Sequence, residues 1–256
     1  MIDLKFRIVH ISDTHLSRFG NFEEKMFDIT VKDINNLDPK PDVIVHTGDI
    51  TDSGVLPEYE FALKKIDMLD SKIILAPGNH DERNYGNSLF REMIGPLDSK
   101  KEIADSIFFI MNSPEPDRDD GRLGRRRQNY LEKYLQNTSA DKIKIVVFHH
   151  HLIPVPFAGR ERNLLDDAGD ILETVLTNKV NLVLMGHRHV RRFLRINDTA
   201  LINAGTVSSI RTRGRLGHSF NIIDFLADGS IKVIERSISE KKNMLSTLFS
   251  NSSNKN

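Results

Sequence analysis

The sequence contains no cysteine among its 256 residues. Disulfide bonds and thiolate zinc sites are therefore excluded, and any metal ion must be held by nitrogen and oxygen ligands. A chain without cysteine also fits a reducing compartment. We therefore expect a cytoplasmic location.

The sequence also lacks an excess of charge of either sign and lacks a long apolar run. Lysine and arginine together number 36, and aspartate and glutamate also number 36. This balance gives no overall field that would attract DNA, RNA or an anionic membrane, so nucleic acid is expected only as a locally bound substrate. The first residues, MIDLKFRIVHISD, are too short and too charged for a secretory signal, and no later run approaches a membrane span. We expect a soluble protein without a membrane partner.

The apolar pattern predicts one α/β domain containing two sheets with helices outside them. In the first part of the chain, β-branched runs alternate with segments whose apolar residues recur every three or four positions, which is typical of β-α-β units. After about residue 190, turn signals separate the runs, which indicates antiparallel hairpins. We predict a single domain over residues 1–240 and a flexible polar tail over 241–256. The predicted helices cover residues 22–37, 56–69, 128–135 and 167–176.

Polar clusters follow five of the core-like runs. Taken singly, each cluster has an ordinary explanation as a helix cap, a turn or a core histidine. In an α/β sheet, however, the carboxyl ends of the strands face one crevice, so the five clusters would gather at one edge. The clusters read ISDTHL, HTGDITD, APGNHDE, FHHHL and MGHRH, and their oxygen and nitrogen donors are Asp13, His15, Asp49, Asn79, His80, His149, His187 and His189.

The ordered set D-x-H, G-D, G-N-H-D, H-H and G-H-x-H resembles the motifs of the calcineurin-like metallophosphoesterase superfamily. Within it, the chain is most similar to the small bacterial and archaeal phosphodiesterases related to cyclic-nucleotide phosphodiesterases. The match runs from Ile11 to His189, and a compatible Asn-Ala-Gly-Thr segment follows at 203–206. The resemblance implies the metallophosphoesterase fold, a four-layer α/β/β/α sandwich with two mixed β-sheets.

The resemblance also implies two divalent metal ions as cofactors. Ligation by imidazole and carboxylate groups together suits Mn, Fe, Zn, Ni or Co rather than Ca, and it does not choose among them. Asn79 can bind a hard ion through its neutral amide oxygen without adding charge that would repel a phosphate. By the resemblance, Asp49 bridges the ions, Asp13, His15 and His189 complete the first site, and Asn79, His149 and His187 complete the second.

The run of three histidines leaves the ligand register open by one residue. The ligand in the family is the first histidine after the strand, which favours His149 over His150. His150 would then lie in the cleft as a substrate contact, and His151 would be structural. The run is followed by Leu152, whereas the commoner form of the motif is His-His-Pro-Pro.

His80 resembles the family's general acid beside the metals. A cationic imidazole there could protonate the leaving alkoxide, and either Asp52 or Asp81 could hold its other nitrogen. The chain has Ser53 and Gly54 where the phosphoprotein phosphatases have a phosphate-binding arginine. This departure argues against a protein phosphatase.

Two groups of arginines stand outside these motifs. Arg122 and residues 125–127 are expected in a solvated loop with nearby acids. Arg211 and Arg213 follow the last motif and are either a phosphate-binding rim or a second solvated loop, because guanidinium groups bind phosphate oxygens in a bidentate manner.

The resemblance implies a dinuclear metal-dependent phosphoesterase whose partner is a small phosphorylated substrate. We predict a phosphodiesterase acting on a small phosphodiester, such as a cyclic nucleotide, by attack of a metal-bound hydroxide. The alternatives are a nuclease of the same metal class and a non-catalytic scaffold with the same fold. The resemblance to the family also suggests a homodimer.

Overall fold

The computed structural model describes residues 3–160 and 163–239, so the predicted tail at 241–256 lies outside the described residues. Two β-sheets form the centre of this part of the chain. The strands are β1 (Leu4–Ile11), β2 (Val43–His46), β3 (Ile73–Leu75), β4 (Ser99–Ile103), β5 (Ser106–Ile110), β6 (Ile143–Val147), β7 (Leu182–Met185), β8 (Arg192–Ile196), β9 (Thr199–Asn203), β10 (His218–Leu226) and β11 (Ile231–Ile238).

Five α-helices are found in the described residues, together with a short 3-10 helix at Arg83–Tyr85. None of these helices is both long and apolar enough to cross a membrane. The helices are α1 (Glu24–Asn35), α2 (Leu56–Ile66), α3 (Gly86–Met93), α4 (Gly124–Gln136) and α5 (Ala168–Thr177).

Both sheets are mixed. The first has five strands in the order β11-β10-β1-β2-β3, with β1, β2 and β3 parallel, β10 antiparallel to β1 and β11 antiparallel to β10. The second has six strands in the order β4-β5-β6-β7-β9-β8, with antiparallel strands at both edges of a parallel centre. The motif-bearing strands β1, β2, β3, β6 and β7 therefore all lie in parallel segments.

Successive side chains of a strand point to opposite faces of its sheet, and the apolar side chains therefore pack in three layers. In β1, Phe6 and Ile8 face the second sheet, whereas Val9 and Ile11 face the helices α1, α2 and α3. Helices α4 and α5 cover the other face of the second sheet with a separate cluster that includes Leu131. The predicted four-layer sandwich with two mixed sheets is thus confirmed.

The structure corrects the expectation for the first arginine group. Residues 125–127 do not lie in a loop. They belong to helix α4, which begins at Gly124. The carboxylate of Asp167 accepts hydrogen bonds from the backbone N–H of Leu123 (3.2 Å) and of Gly124 (2.7 Å). This cap starts the helix before its apolar periodicity begins, and it comes from a residue more than forty positions away in sequence.

Replacing Phe108 with alanine tests the core between the two sheets. The Phe108 side chain is fully buried, and its ring centroid lies 6.4 Å from that of Phe6. We expect Phe108→Ala to lower the free energy of unfolding by about 3–5 kcal/mol in urea titration, because it leaves a cavity between the sheets. The matched control is Phe19→Ala, where the ring is 85% exposed, and it should change stability by less than about 1 kcal/mol. Equal losses in the two variants would contradict this description of the core.

Candidate dinuclear metal centre

The loops after the five motif-bearing strands meet at one edge of the two sheets. The backbone N–H of Asp13 donates to the carbonyl of Gly48 (3.0 Å), which joins the first two loops. Two positions require glycine because neighbouring atoms of other loops lie too close to leave room for a Cβ atom. A Cβ atom at Gly78 would lie 2.1 Å from the Asp49 nitrogen, and one at Gly186 would lie 1.9 Å from Oγ of Ser12. Larger residues at these positions would push the loops apart.

The first cluster of ligand atoms joins the two sheets. The Nε2 atoms of His15 and His189 lie 3.1 Å apart. Oδ1 of Asp13 lies 3.4 Å from Nε2 of His189, and Oδ2 of Asp49 lies 3.7 Å from Nε2 of His15. Asp13, His15 and His189 satisfy the spacing of a metal-binding group. These are the residues that the sequence predicted for the first metal ion.

The second cluster lies next to the first and shares a carboxylate with it. Oδ1 of Asn79 lies 3.1 Å from Nε2 of His149 and 3.0 Å from Nδ1 of His187. Oδ2 of Asp49 lies 3.3 Å from Nε2 of His149. Because the same Asp49 oxygen faces both clusters, it could serve as a ligand to both of two ions held there.

The donors and acceptors of these clusters fit a pair of cations. The Nδ1 atoms of His149 and His189 donate to the carbonyls of Thr47 (2.7 Å) and Arg211 (2.6 Å), so Nε2 is the nitrogen of each ring that faces the cluster. Buried Oδ1 of Asp13 has no hydrogen-bond partner. Nitrogen and oxygen acceptors that face one another at hydrogen-bond distance need either a proton or a metal ion between them. The residues therefore fit the two divalent ions that the sequence predicted, and they do not select the element.

Five of these ligand residues adopt left-handed backbone conformations. Such conformations are uncommon outside glycine and cost free energy, so they persist only where surrounding contacts impose them. Here the loops need sharp turns to aim several side chains at one point. The residues and φ angles are Asp13 (53°), His15 (47°), Asp49 (55°), His187 (78°) and His189 (54°).

Electrostatics couple Asp49 and His149 in the metal-free protein. Burial lowers the pKa of His149, but the carboxylates of Asp49 and Asp13 and the hydrogen bond to the carbonyl of Thr47 together outweigh burial and raise it to about 9. Burial alone would raise the pKa of Asp49, but the charges of His149 and His80 hold it well below its usual range. Burial raises the pKa of Asp13 to about 6. A metal ion must therefore displace the proton of His149 at neutral pH.

The three consecutive histidines have different environments. Of the three, His149 is the residue whose Nε2 faces the Asp49 carboxylate, at 3.3 Å, and this contact favours the first histidine of the run as the ligand. His150 is fully buried, with Nδ1 2.9 Å from Oγ of Ser113 and Nε2 3.2 Å from the carbonyl of Asp119. The expectation that His150 contacts substrate is therefore wrong, because its ring is closed off from the cleft. His151 contacts the carbonyl of Gly186 (2.9 Å) and is structural, as predicted.

His80 lies at the edge of the first cluster. One of its ring nitrogens is within 4.8 Å of ligand atoms of His15 and Asp49. Nδ1 donates to the backbone carbonyl of Asp52 (2.5 Å), whereas the Asp52 carboxylate is 3.7 Å away and instead accepts from Nδ1 of His15 (3.0 Å). Burial lowers the pKa of His80. Asp52 thus orients two rings, one through its side chain and one through its backbone.

Asp81 does not hold His80. Its carboxylate is fully buried and accepts hydrogen bonds from the backbone N–H groups of Ile50 (3.1 Å), Thr51 (2.8 Å) and Gly78 (2.9 Å). This network ties the second loop to the third. The alternative in which Asp81 acts on His80 is therefore wrong, and Asp81 is a structural residue.

The metal clusters open into a cleft with a basic rim. Arg211 and Arg213 line this cleft, which is the location that the interpretation as a phosphate-binding rim requires. Three further residues of the lining were missed by sequence reasoning: Arg83, Arg188 and Asp119. Arg83 is three residues from His80 and could have been suspected as a phosphate ligand, whereas nothing in the local pattern marks Asp119.

The buried histidine and aspartate clusters where the two sheets meet are consistent with a site for two metal ions. The family model for calcineurin-like phosphoesterases matches residues 6–191. The chain therefore belongs to the calcineurin-like phosphoesterases, a family of hydrolases, and the resemblance seen in the motifs is confirmed.

Individual relatives are consistent with this membership. The chain is 28% identical over 245 residues to a "probable cyclic nucleotide phosphodiesterase" of Xenorhabdus bovienii, covering 88% of this chain and 98% of the relative. It is 33% identical over 155 residues to a "probable glycerophosphodiester phosphodiesterase" of Arcobacter nitrofigilis, covering 56% of each. A dimetal phosphatase from Danio rerio has the same fold, with a TM-score of 0.70 at 11% identity, covering 93% of this chain and all of that chain.

Proton release on metal binding tests the site. At pH 7 the metal-free protein holds a proton on His149, whose pKa is about 9. Binding of Mn²⁺ should release about one proton per chain, and the Mn²⁺ affinity should rise with pH until about pH 9. Calorimetric titration in buffers of different ionisation enthalpy measures this release. A flat pH profile of affinity from pH 6 to 9 would contradict the assignment.

Two variants of the histidine run provide the control. His149→Gln should lose the proton release and most of the affinity at the second ion, about 100-fold. His151→Gln, which can retain the contact to Gly186, should bind Mn²⁺ as the wild type does.

Proposed function

We propose that this protein is a phosphodiesterase that hydrolyses a small phosphodiester, such as a cyclic nucleotide or a glycerophosphodiester. The observation that carries the proposal is the position of Asp49, whose single oxygen Oδ2 faces both ligand clusters below an open cleft. The two curated relatives described above have phosphodiesterase names, and one of them aligns over nearly its full length.

The ligand residues prepare the site for phosphoryl chemistry. Two divalent ions held there would polarise the phosphoryl oxygens and activate water as the nucleophile. Asp13 and Asp49 bring two negative charges to the site, and the remaining ligands are neutral imidazole or amide groups when a metal is held. The site therefore keeps a net positive charge that attracts an anionic ester.

Arginines of the rim bind the remaining oxygens of the phosphate. Arg83, Arg211 and Arg213 line the cleft beside the metal clusters. Arg83 brings a guanidinium to the cleft although Ser53 and Gly54 replace the phosphate-binding arginine of the phosphoprotein phosphatases. Guanidinium groups orient a phosphate through paired hydrogen bonds.

His80 supplies the proton to the leaving oxygen. Its Nδ1–H is held by the Asp52 carbonyl, which leaves Nε2 as the nitrogen that exchanges a proton with the substrate. Burial lowers the pKa of His80 in the free protein. The negative charge of a bound phosphate favours the imidazolium and so raises this pKa again.

A small substrate suits the surroundings of the cleft better than a nucleic acid. A nuclease requires a basic track for the phosphate backbone. The loop beside the cleft instead carries the acids Glu115, Asp117, Asp119 and Asp120, and its arginines pair with them. Arg122 lies 2.6 Å from Glu115, and Arg118 lies 2.6 Å from Asp120. A non-catalytic scaffold is disfavoured by the complete ligand set and by His80.

Hydrolysis of bis-nitrophenyl phosphate, measured beside nitrophenyl phosphate, tests the proposal. Metal-stripped protein resupplied with Mn²⁺ should hydrolyse the diester faster than the monoester, and Asp49→Ala should lose at least about 1,000-fold of this activity because the shared ligand is removed. A positive result justifies the same assay with cyclic nucleotides and with glycerophosphodiesters. Turnover of neither nitrophenyl compound with Mn, Fe, Zn, Ni or Co would favour the scaffold alternative.

The role of His80 predicts a dependence on the leaving group. Nitrophenolate leaves without protonation, whereas an alkoxide needs a proton in the transition state. His80→Ala should therefore slow hydrolysis of an alkyl nitrophenyl diester at its nitrophenyl bond by about 10-fold or less, and hydrolysis of a dialkyl diester by about 100-fold or more. Comparison of kcat for both substrates checks this difference. Equal losses would contradict the acid role.

A further inference from the structure

The loop that connects β5 to α4 places one carboxylate over the second ligand cluster. Oδ1 of Asp119 accepts a hydrogen bond from the amide Nδ2 of Asn79 (3.2 Å) and another from Nη2 of Arg83. The carbonyl of the same residue lies 3.2 Å from Nε2 of buried His150, which fixes the backbone at this point. Asp119 belongs to none of the sequence motifs.

The contact to Asn79 determines which amide atom faces the metal position. An ionised carboxylate only accepts hydrogen bonds, so it binds the amide through its NH₂ group. The amide oxygen Oδ1 is then turned toward His149 and His187, at 3.1 and 3.0 Å. With the amide reversed, an NH₂ group would occupy the ligand position, and this group cannot bind a cation.

The contact to Arg83 places a negative charge at the mouth of the cleft. Arg83 lines the cleft, and its Nη1 lies 3.0 Å from Nδ1 of His80. A phosphodiester carries one negative charge near neutral pH, whereas a phosphomonoester carries up to two. The charge of Asp119 therefore repels a monoester more strongly than a diester. The charge of Asp119 also offsets part of the attraction that Arg83 exerts on the second negative charge of a monoester.

We propose that Asp119 is a positioning and selectivity residue of this site. Its carboxylate holds Asn79 in the orientation that binds the second metal ion, and its charge disfavours phosphomonoesters relative to phosphodiesters. The selectivity rests on the proposed phosphodiesterase function. The positioning of Asn79 depends only on the geometry of the ligand cluster.

Two substitutions separate these effects. Asp119→Ala removes both the acceptor and the charge. Asp119→Asn removes the charge but keeps an oxygen that can accept from Asn79 and Arg83. The control is Asp120→Asn, because Asp120 is the adjacent acid and its carboxylate pairs with Arg118 (2.6 Å).

Calorimetric titration of metal-stripped protein with Mn²⁺ tests the positioning role without any assay of activity. We expect Asp119→Ala to lower the affinity for the second ion by about 10- to 100-fold, the usual effect of removing a residue that orients a metal ligand. Asp119→Asn and Asp120→Asn should bind within about threefold of the wild type. An unchanged affinity in Asp119→Ala would overturn the positioning role, even if the protein were not a phosphodiesterase.

The ratio of kcat/KM for nitrophenyl phosphate to that for bis-nitrophenyl phosphate tests selectivity. In Asp119→Asn this ratio should rise by about three- to fivefold, a modest change because the Asp119 side chain is 74% exposed and screened by water. The change should shrink at high ionic strength. An unchanged ratio at low ionic strength, or the same rise in Asp120→Asn, would overturn the selectivity role. If the wild type hydrolyses neither compound, the proposed function fails and the selectivity role falls with it, whereas the Mn²⁺ titration still decides the positioning role.

Discussion

The carboxylate of Asp49 is the point on which the structure of the site depends. Its Oδ2 atom faces His15 at 3.7 Å and His149 at 3.3 Å, and these histidines follow strands of different sheets. Two metal ions held by these clusters would therefore share one oxygen at the seam between the sheets. Any shift of one sheet against the other would change the distance between Asp49 and His149, so the apolar packing between the sheets fixes the geometry of the centre.

The same arrangement explains why the loops are so constrained. A cluster of imidazole and carboxylate groups without a cation is unfavourable, since its lone pairs face each other with few hydrogen-bond donors between them. The chain stabilises this arrangement from behind, with Asp52, Thr47 and Arg211 holding the outer nitrogens of the histidines. Close packing of Gly78 and Gly186 and the left-handed ligand residues add to this constraint. These constraints lower the local stability of the loops, because the loops are shaped to hold ions.

The rim of the cleft combines basic and acidic groups, and this combination fits a substrate of low charge. Arg83 and Arg211 can hold a phosphate, while the acids of the adjacent loop limit the positive potential. The alignment with phosphodiesterase relatives is consistent with the same class of substrate. The contacts of the rim and the sequence similarity thus support the same proposed function.

The sequence by itself determined the chemistry of the site. Polar residues at the ends of apolar strands gather at one edge of a parallel sheet, so local pattern predicted where the site would lie. The assignment of the ligand set from Asp13 to His189 and the four-layer fold followed from the resemblance of the ordered motifs to those of the calcineurin-like metallophosphoesterases. Only the tertiary structure decided which residues stand beside that set. Burial of His150, the role of Asp81 in joining two loops and the contact of Asp119 with Asn79 depend on hydrogen bonds between distant segments. Such bonds leave no periodic signal in the chain, because one polar residue in a loop looks like any other until the fold brings its partner close.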